Sequence, residues 1–537
     1  MTVGAATPQR EAERAGRAGF WHVLRAEWTK FRTVRGWVIG MVVAALAMLF
    51  VGLLGAGAAN IACQSGTGGP VKKGRACLPY VPLGPGGEAV TDSFYFVHQP
   101  LTGNGSITVR LTWLTGRHFG GEAQAGLGAQ QTLVPGVVPW SKAGIMIKQS
   151  TRQGSPYAAM MVTGGHGVRM QYDYTHDLAG LAGQVSAVSP RWLRLTRAGD
   201  TITGYDSTDG SHWTRVGTAT LTGLPATVQA GLFTTSPVAS VTTQSFGGSS
   251  SQGGPSQATG AFDHLSVTGG APTSGWIGTS IGGGPRSPGD GAGGFHQAAG
   301  RYAVTGSGDI APVVGADGAG FPSSTIEDHL VGAFAGLIAV AVIAAMFITA
   351  EYRRGLIRTT LAASPRRGRV LAAKAVVIGA VTFVLGLAAS VIAVAFGTRL
   401  SSAQGLYVLP VPWLTEVRVV AGTAALLAVA AVLALALGAV LRRSAAAVSV
   451  AIVVIVLPYI LGVASVLPLG AAEWLLRITP AAGFAIQQSL PQYPQVGAEY
   501  TPPVYFPLGP WAGFAVLCAW TAAALFLAAT TLRRRDA

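Results

Sequence analysis

Charge is scarce in this sequence: Asp, Glu, Lys and Arg make up 11% of its 537 residues, and only 22 residues are acidic. Half of the chain is hydrophobic and the mean hydropathy is +0.44, which excludes an ordinary soluble globular protein of this length. No Gly-x4-Gly-Lys-Ser/Thr sequence occurs, so the chain cannot cradle ATP phosphates in a loop of that type. Cysteine is limited to Cys63, Cys77 and Cys518. Cys63 and Cys77 are separated by thirteen residues. In an oxidising compartment they could pair, closing a loop worth about 3 kcal/mol, or remain two free thiols.

Six charge-free runs fill the space that charge leaves, at 36–59, 330–350, 375–398, 419–441, 444–472 and 510–532. Each is long enough for a helix to cross a hydrocarbon layer about 30 Å thick. A secretory signal peptide competes for the first run, because basic residues precede it and Ala-Gly-Ala-Ala ends it. The run is longer than the roughly 7–15 residues of a signal core, however, and its leader is too long. The spans hold no Asp, Glu, Lys or Arg, whereas ion-coupled carriers place ionisable groups at mid-membrane. Secondary transport is therefore disfavoured.

The net charge of +15 is unevenly placed. Residues 1–36 carry +4, residues 351–374 carry +6, Arg442 and Arg443 give +2 and residues 533–537 another +2, while 37–350 carries only +1. Basic and neutral pieces thus alternate across the spans, as they do when Lys and Arg stay cytoplasmic. This places both termini on the cytoplasmic side of a cell membrane and the long segment after the first span outside. A nucleic-acid partner is excluded on the same ground, because the bases sit at span ends rather than on one soluble face.

The chain divides accordingly. Residues 1–17 read as a disordered tail and 18–35 as an amphipathic interfacial helix, with Phe20, Leu24, Trp28 and Phe31 on one face. Glu27 lies on that apolar side, where it needs a basic partner unless it snorkels to water. The first span is 36–59 and an extracellular insertion fills 60–328. The second span, 329–350, leads to a cytoplasmic segment at 351–374 and to spans at 375–398, 419–441 and 444–468. An outer loop at 469–509 carries short interfacial helices broken at Pro480, or a re-entrant pair; the last span is 510–532 and the tail 533–537. Inside the insertion the period turns to two. Segments 106–113, 143–148, 157–162, 192–197 and 201–205 are β-branched or aromatic and separated by turns, including Arg197-Ala-Gly-Asp-Thr201 and Ser207-Thr-Asp-Gly-Ser211. The fold class is therefore an α-helical polytopic membrane protein with six transmembrane helices and an all-β jelly-roll sandwich, at about 92–267, inserted between helices 1 and 2. Stretches 247–260 and 269–294, rich in Gly, Ser and Pro, read as too poor in apolar residues to pack, the second as a linker.

Two cytoplasmic motifs carry a resemblance. Leu24-Arg-Ala-Glu-Trp-Thr-Lys-Phe-Arg-Thr33, together with the segment from Glu351-Tyr-Arg-Arg-Gly through Ser364-Pro-Arg-Arg-Gly-Arg369 to Lys374, resembles actinobacterial ABC-2-type transporter permease subunits. That resemblance implies a permease driven by a separate ABC ATPase subunit, a transporter subunit rather than an enzyme, paired with a second permease copy or paralogue. It implies no cofactor on this chain, with ATP and Mg in the partner, and a surface for docking the ATPase. On this chain the surface comprises Glu27, Glu351, Arg353, Arg354, Arg358, Arg366, Arg367 and Arg369. The same bases suit anionic membrane lipids, and for Arg366 to Arg369 an anchoring role is an equal reading.

The insertion resembles the concanavalin A-like lectin/glucanase group through Trp140-Ser-Lys-Ala-Gly-Ile-Met-Ile-Lys148, Pro190-Arg-Trp-Leu-Arg-Leu-Thr-Arg-Ala-Gly-Asp200 and Ser207-Thr-Asp-Gly-Ser-His-Trp213. The resemblance implies carbohydrate contacts at Trp140, Trp192 and Trp213, although aromatic residues on strands more often belong to the core. A glycosidase is excluded: the Glu-x-Asp-x-x-Glu strand of the glucanases is absent, and the insertion's only glutamates before Glu327 are Glu88 and Glu122. His166, His176 and His212 lack metal-ligand spacing. The leading expectation is an ABC exporter permease. The alternative is a membrane-anchored carbohydrate-binding or sensory protein that displays the outer domain.

Overall fold

The computed structural model describes residues 19–65, 81–120, 133–245, 248–270, 275–282, 293–314, 323–356, 366–404, 406–463, 467–496 and 505–534. The tail 1–17, Cys77 with any Cys63–Cys77 bridge, Arg358 and most of the linker lie outside them.

Eight helices are described: α1 (Phe20–Thr33), α2 (Arg35–Ser65), α3 (Ala333–Arg353), α4 (Arg367–Ala403), α5 (Trp413–Leu441), α6 (Ser444–Val463), α7 (Leu469–Ile478) and α8 (Pro510–Arg534). Six of them, all except α1 and α7, are long and apolar enough to cross a membrane. These are the six expected spans. Helix α5 is the hub, packing on α3, α4 and α8, with Leu426, Leu427, Leu433 and Leu435 buried. Between α2 and the start of α3 the backbones nearly touch. A Cβ on Gly332 would stand 1.8 Å from the Met48 carbonyl oxygen, and one on Gly52 would stand 2.7 Å from that of His329. Small residues at such a crossing let two apolar helices approach where lipid offers no hydrophobic drive. Arg442, at φ 56, ends α5 in the left-handed region and turns the chain at once into α6.

The insertion is an antiparallel β-sandwich. Its long strand Phe94–Phe119 pairs through its first half with Thr227–Thr235 and through its second half with Arg191–Ala198 and Ser256–Gly270. It therefore runs through both layers. Ile107, Val109, Leu193 and Leu195 meet Ile145, Ile147, Met160 and Val228 in the core between them. Strands Lys142–Lys148 and Tyr157–Thr163 are buried on both faces, because a second apolar layer of Phe94, Phe96, Tyr157 and Phe233 covers their other side. The expected turns are present, with Gly199 at φ 63 and Gly210 at φ 80.

The sandwich extends beyond the expected 92–267. Strand Ile277–Ile281 pairs with the long strand, and Gly294–Ala298 and Arg301–Gly306 extend the same sheet. The stretch 247–260 also forms strand, in Gly248–Gly254 and Ser256–Gly270. Composition misled here because a Gly/Ser strand contributes backbone hydrogen bonds to a ladder while its neighbours supply the apolar surface. Around Gly260, for example, the space a Cβ would need is taken by Phe262 and Ala143.

Both connections to the membrane are fastened to one strand. Val90–Asp92 pairs antiparallel with Ile310–Pro312, and the fully buried Lys148 and Lys142 bind Asp92 at 2.9 Å and Asp309 at 2.6 Å. The sandwich also rests on the bundle. Ser323–Ser324 pairs in parallel with Tyr407–Val408, and Gln495 donates to the Tyr174 carbonyl at 2.9 Å. Beyond α7, the 3-10 segment Pro480–Gln487 is buried against α5 and α8, so this part of the outer loop is packed into the protein rather than lying on the interface.

Candidate coupling site

At the bundle end opposite the sandwich, helix α1 lies against α4. The register decides which of its residues enter. Leu24, Glu27 and Phe31 recur at three and four residues and face the bundle, with Glu27 1% and Phe31 3% exposed. Trp28, expected on the same face as Phe31, points outward with Trp21. The outward tryptophans suit a membrane interface.

Glu27 enters the bundle because a cation is waiting there. Lys374, in the second turn of α4 and 1% exposed, places its Nζ 2.6 Å from Glu27 Oε2 and 2.7 Å from Glu351 Oε1. Lys30 closes the cluster from the rim, 3.0 Å from Glu27 and 3.3 Å from Glu351. Burial pulls the Lys30 ammonium down, but the hydrogen bonds and charges of Glu27 and Glu351 outweigh it and leave it raised. Two carboxylates and two ammonium groups thus cancel in a site walled by Phe347, whose ring lies 4.8 Å from Lys374 Nζ and meets Phe31 edge-on at 5.8 Å. Chemically the cluster is a lock: it ties α1, the end of α3 and the start of α4 into one body, and no member can leave without exposing a buried charge.

The arginines surround this lock in different ways. Arg353, Arg354 and Arg366 are exposed, and Arg369 is half-buried. Arg367 donates to the Leu532 carbonyl at 2.6 Å, joining α4 to the end of α8. The structure therefore separates the expected docking set. Glu27 and Glu351 point inward and hold the scaffold, while exposed arginines form the outer rim. Lys374 is the residue that sequence reasoning missed. It shares a helical stripe with the apolar Val370, Leu371, Val377 and Ile378, the same signal of a charge on an apolar face that marked Glu27.

The three tryptophans of the sandwich do not converge. Trp140 is 6% exposed and stacks on His166 at 3.9 Å. Trp192 and Arg194 alternate onto one outward face, where the Arg194 guanidinium covers the Trp213 ring at 3.8 Å and Arg110 stands 5.7 Å from Trp192. Arg110 is held by Asp263 through two bonds of 2.7 Å. Among the described residues no group of three or more His, Cys, Asp or Glu could hold a metal ion.

The model of the ABC-2 family transporter proteins matches residues 201–537, which include every span after the sandwich. The chain belongs to the ABC-2 transporter family. No curated protein matches this ABC-2 transporter protein. Similar solved structures include a functionally unknown protein from Saccharomyces cerevisiae, at 16% identity over 37% of this chain and 84% of that one, with a TM-score of 0.20. The GH43 protein BlXynB from Bacillus licheniformis matches at 16% identity over 24% of each chain, TM-score 0.15. Scytalido-glutamic peptidase matches at 8% identity over 40% of this chain and 98% of that one, TM-score 0.24. These likenesses carry no inference about the ABC-2 protein.

Proposed function

We propose that this ABC-2 protein is the permease subunit of an ABC exporter in the cell membrane, with both termini cytoplasmic. A separate ATPase chain binds ATP and Mg, and the membrane path is completed by a second copy or a paralogue. The observation that carries this reading is the buried Glu27–Lys374–Glu351 lock beside exposed Arg353, Arg354 and Arg366. Force applied by a partner to the rim is transmitted to three helices together, because the lock lets none of them yield alone. The test is co-purification with the ATPase subunit, and stimulated ATP hydrolysis, for Arg354→Glu and Arg366→Glu. Both should fall while membrane expression holds. Lowered expression with intact association would instead favour a lipid-anchoring role for these bases.

A second reading concerns the outer domain alone. The shared outward face of Trp192 and Trp213, flanked by Arg110, Arg194 and Asp263, supports carbohydrate recognition there. Glycan-array binding that disappears in Trp192→Ala would support it.

A further inference from the structure

On the sandwich side of the bundle three aromatic rings from distant parts of the chain meet. Phe334 comes from the first turn of α3, Tyr459 from α6 beside the internal Pro458, and Phe484 from the buried 3-10 segment. Their centroids are 4.7 Å (Phe334–Tyr459), 4.5 Å (Phe334–Phe484) and 4.4 Å (Tyr459–Phe484) apart. All three rings, with Tyr505, line a cavity of about 220 Å³. Glu327, Asp328, Gln487 and Gln488 line it too, and no Lys, Arg or His is among its lining residues.

Packing alone would account for the rings, but not for their company. The Glu327 carboxylate accepts hydrogen bonds from the Ser489 and Tyr505 hydroxyls, and no base pairs with it among the described residues. Burial raises its carboxyl above the usual range, with those two hydrogen bonds opposing. Ring faces carry negative potential, and a carboxylate beside them adds a formal negative charge. An ammonium group brought into this space would satisfy both.

We propose that the cavity lined by Phe334, Tyr459, Phe484, Tyr505 and Glu327 binds the ammonium head of an organic cation. Its volume suits a head group rather than a whole drug-sized molecule. Val331, which lines it and is 49% exposed, marks where the apolar remainder of the ligand emerges beside α3. The ligand class is therefore a cationic amphiphile, arriving either as cargo or as the cholinium or ethanolammonium head of a neighbouring lipid. The cargo alternative rests on the permease reading; binding itself does not.

The test uses the full-length chain in nanodiscs of phosphatidylglycerol, with radiolabelled choline as the probe and no ATPase present. Choline should bind saturably and should not be displaced by its uncharged isostere 3,3-dimethyl-1-butanol. Glu327→Gln, which keeps a partner for Ser489 and Tyr505, should weaken binding at least about tenfold, as should Phe484→Leu; elution volume on size exclusion shows that each variant is folded. Loss of choline binding in phosphatidylcholine nanodiscs would identify the lipid head as occupant. Retention there, with displacement by dodecyltrimethylammonium, would identify cargo. Equal binding of the isostere, unchanged affinity in both variants, or no saturable binding at all would overturn the site while leaving the permease reading standing.

Discussion

Replacing Lys374 by Met tests the lock most directly. The Lys374 side chain is 1% exposed and those of Glu27 and Glu351 are 2% and 11% exposed, with contacts of 2.6 and 2.7 Å. Met fills nearly the same volume, so the change removes charge rather than packing. Two buried carboxylates would then share only Lys30, whose side chain is 42% exposed. Breaking a buried ion pair costs about 3–5 kcal/mol, and partial compensation by Lys30 puts the expectation near the lower end of that range. Combining Lys374→Met with Glu27→Gln and Glu351→Gln removes all three charges at little change in shape. That variant should lie within about 1 kcal/mol of the parent, because desolvation of the pair offsets most of its attraction. The assay is the thermal midpoint followed by fluorescence-detected size exclusion in detergent. The single variant should lose several degrees and the triple variant should regain most of them. A Lys374→Met chain as stable as the parent, or a triple variant no better than the single one, would refute the reasoning.

Other outcomes follow from the same structure. Gly332→Ala, whose Cβ would meet the Met48 carbonyl at 1.8 Å, should destabilise the bundle by about 1–3 kcal/mol, whereas Gly336→Ala, with 3.3 Å of room, should be milder in the same thermal assay. The Asp173 carboxyl is pushed up to about 6, chiefly by burial. The folded chain thus holds that proton more tightly than the unfolded one, and stability from this group is lost as pH rises from about 4 through 6, by roughly 1 kcal/mol once solvent screening is allowed for. Asp173→Asn should flatten that part of the profile of sandwich stability, read by near-ultraviolet dichroism. In a chain with Cys63, Cys77 and Cys518 replaced by Ser, a cysteine at exposed Ser211 should react with an impermeant maleimide in intact cells while one at exposed Arg443 should not; the reverse pattern would invert the topology.

The spans were legible because lipid permits few solutions: a charge-free run of sufficient length must be a helix with its backbone bonded internally. The sandwich was legible from its two-residue period and its turns at Gly199 and Gly210. Its far edge was not, since Ile277–Ile281 lies in a Gly/Ser/Pro-rich stretch whose local composition speaks for disorder, and it pairs because the Phe94–Phe119 strand offers it an edge. At the candidate coupling site Glu27 was flagged by its place on an apolar face, and Lys374 carried the same mark unrecognised, hidden at the boundary of a basic segment.

By itself, then, the amino-acid sequence determined the number of spans, the alternation of basic and neutral connections and the presence of an inserted β-domain, all of which depend on residues near one another along the chain. Only the tertiary structure decided the partners of buried charge. Glu27 and Lys374 stand 2.6 Å apart across 347 positions of sequence, and Phe334, Tyr459 and Phe484 meet from three separate elements. Such contacts are set by how helices cross and which faces remain for one another once the apolar stripes are buried, and that is a property of the packed bundle rather than of any one segment.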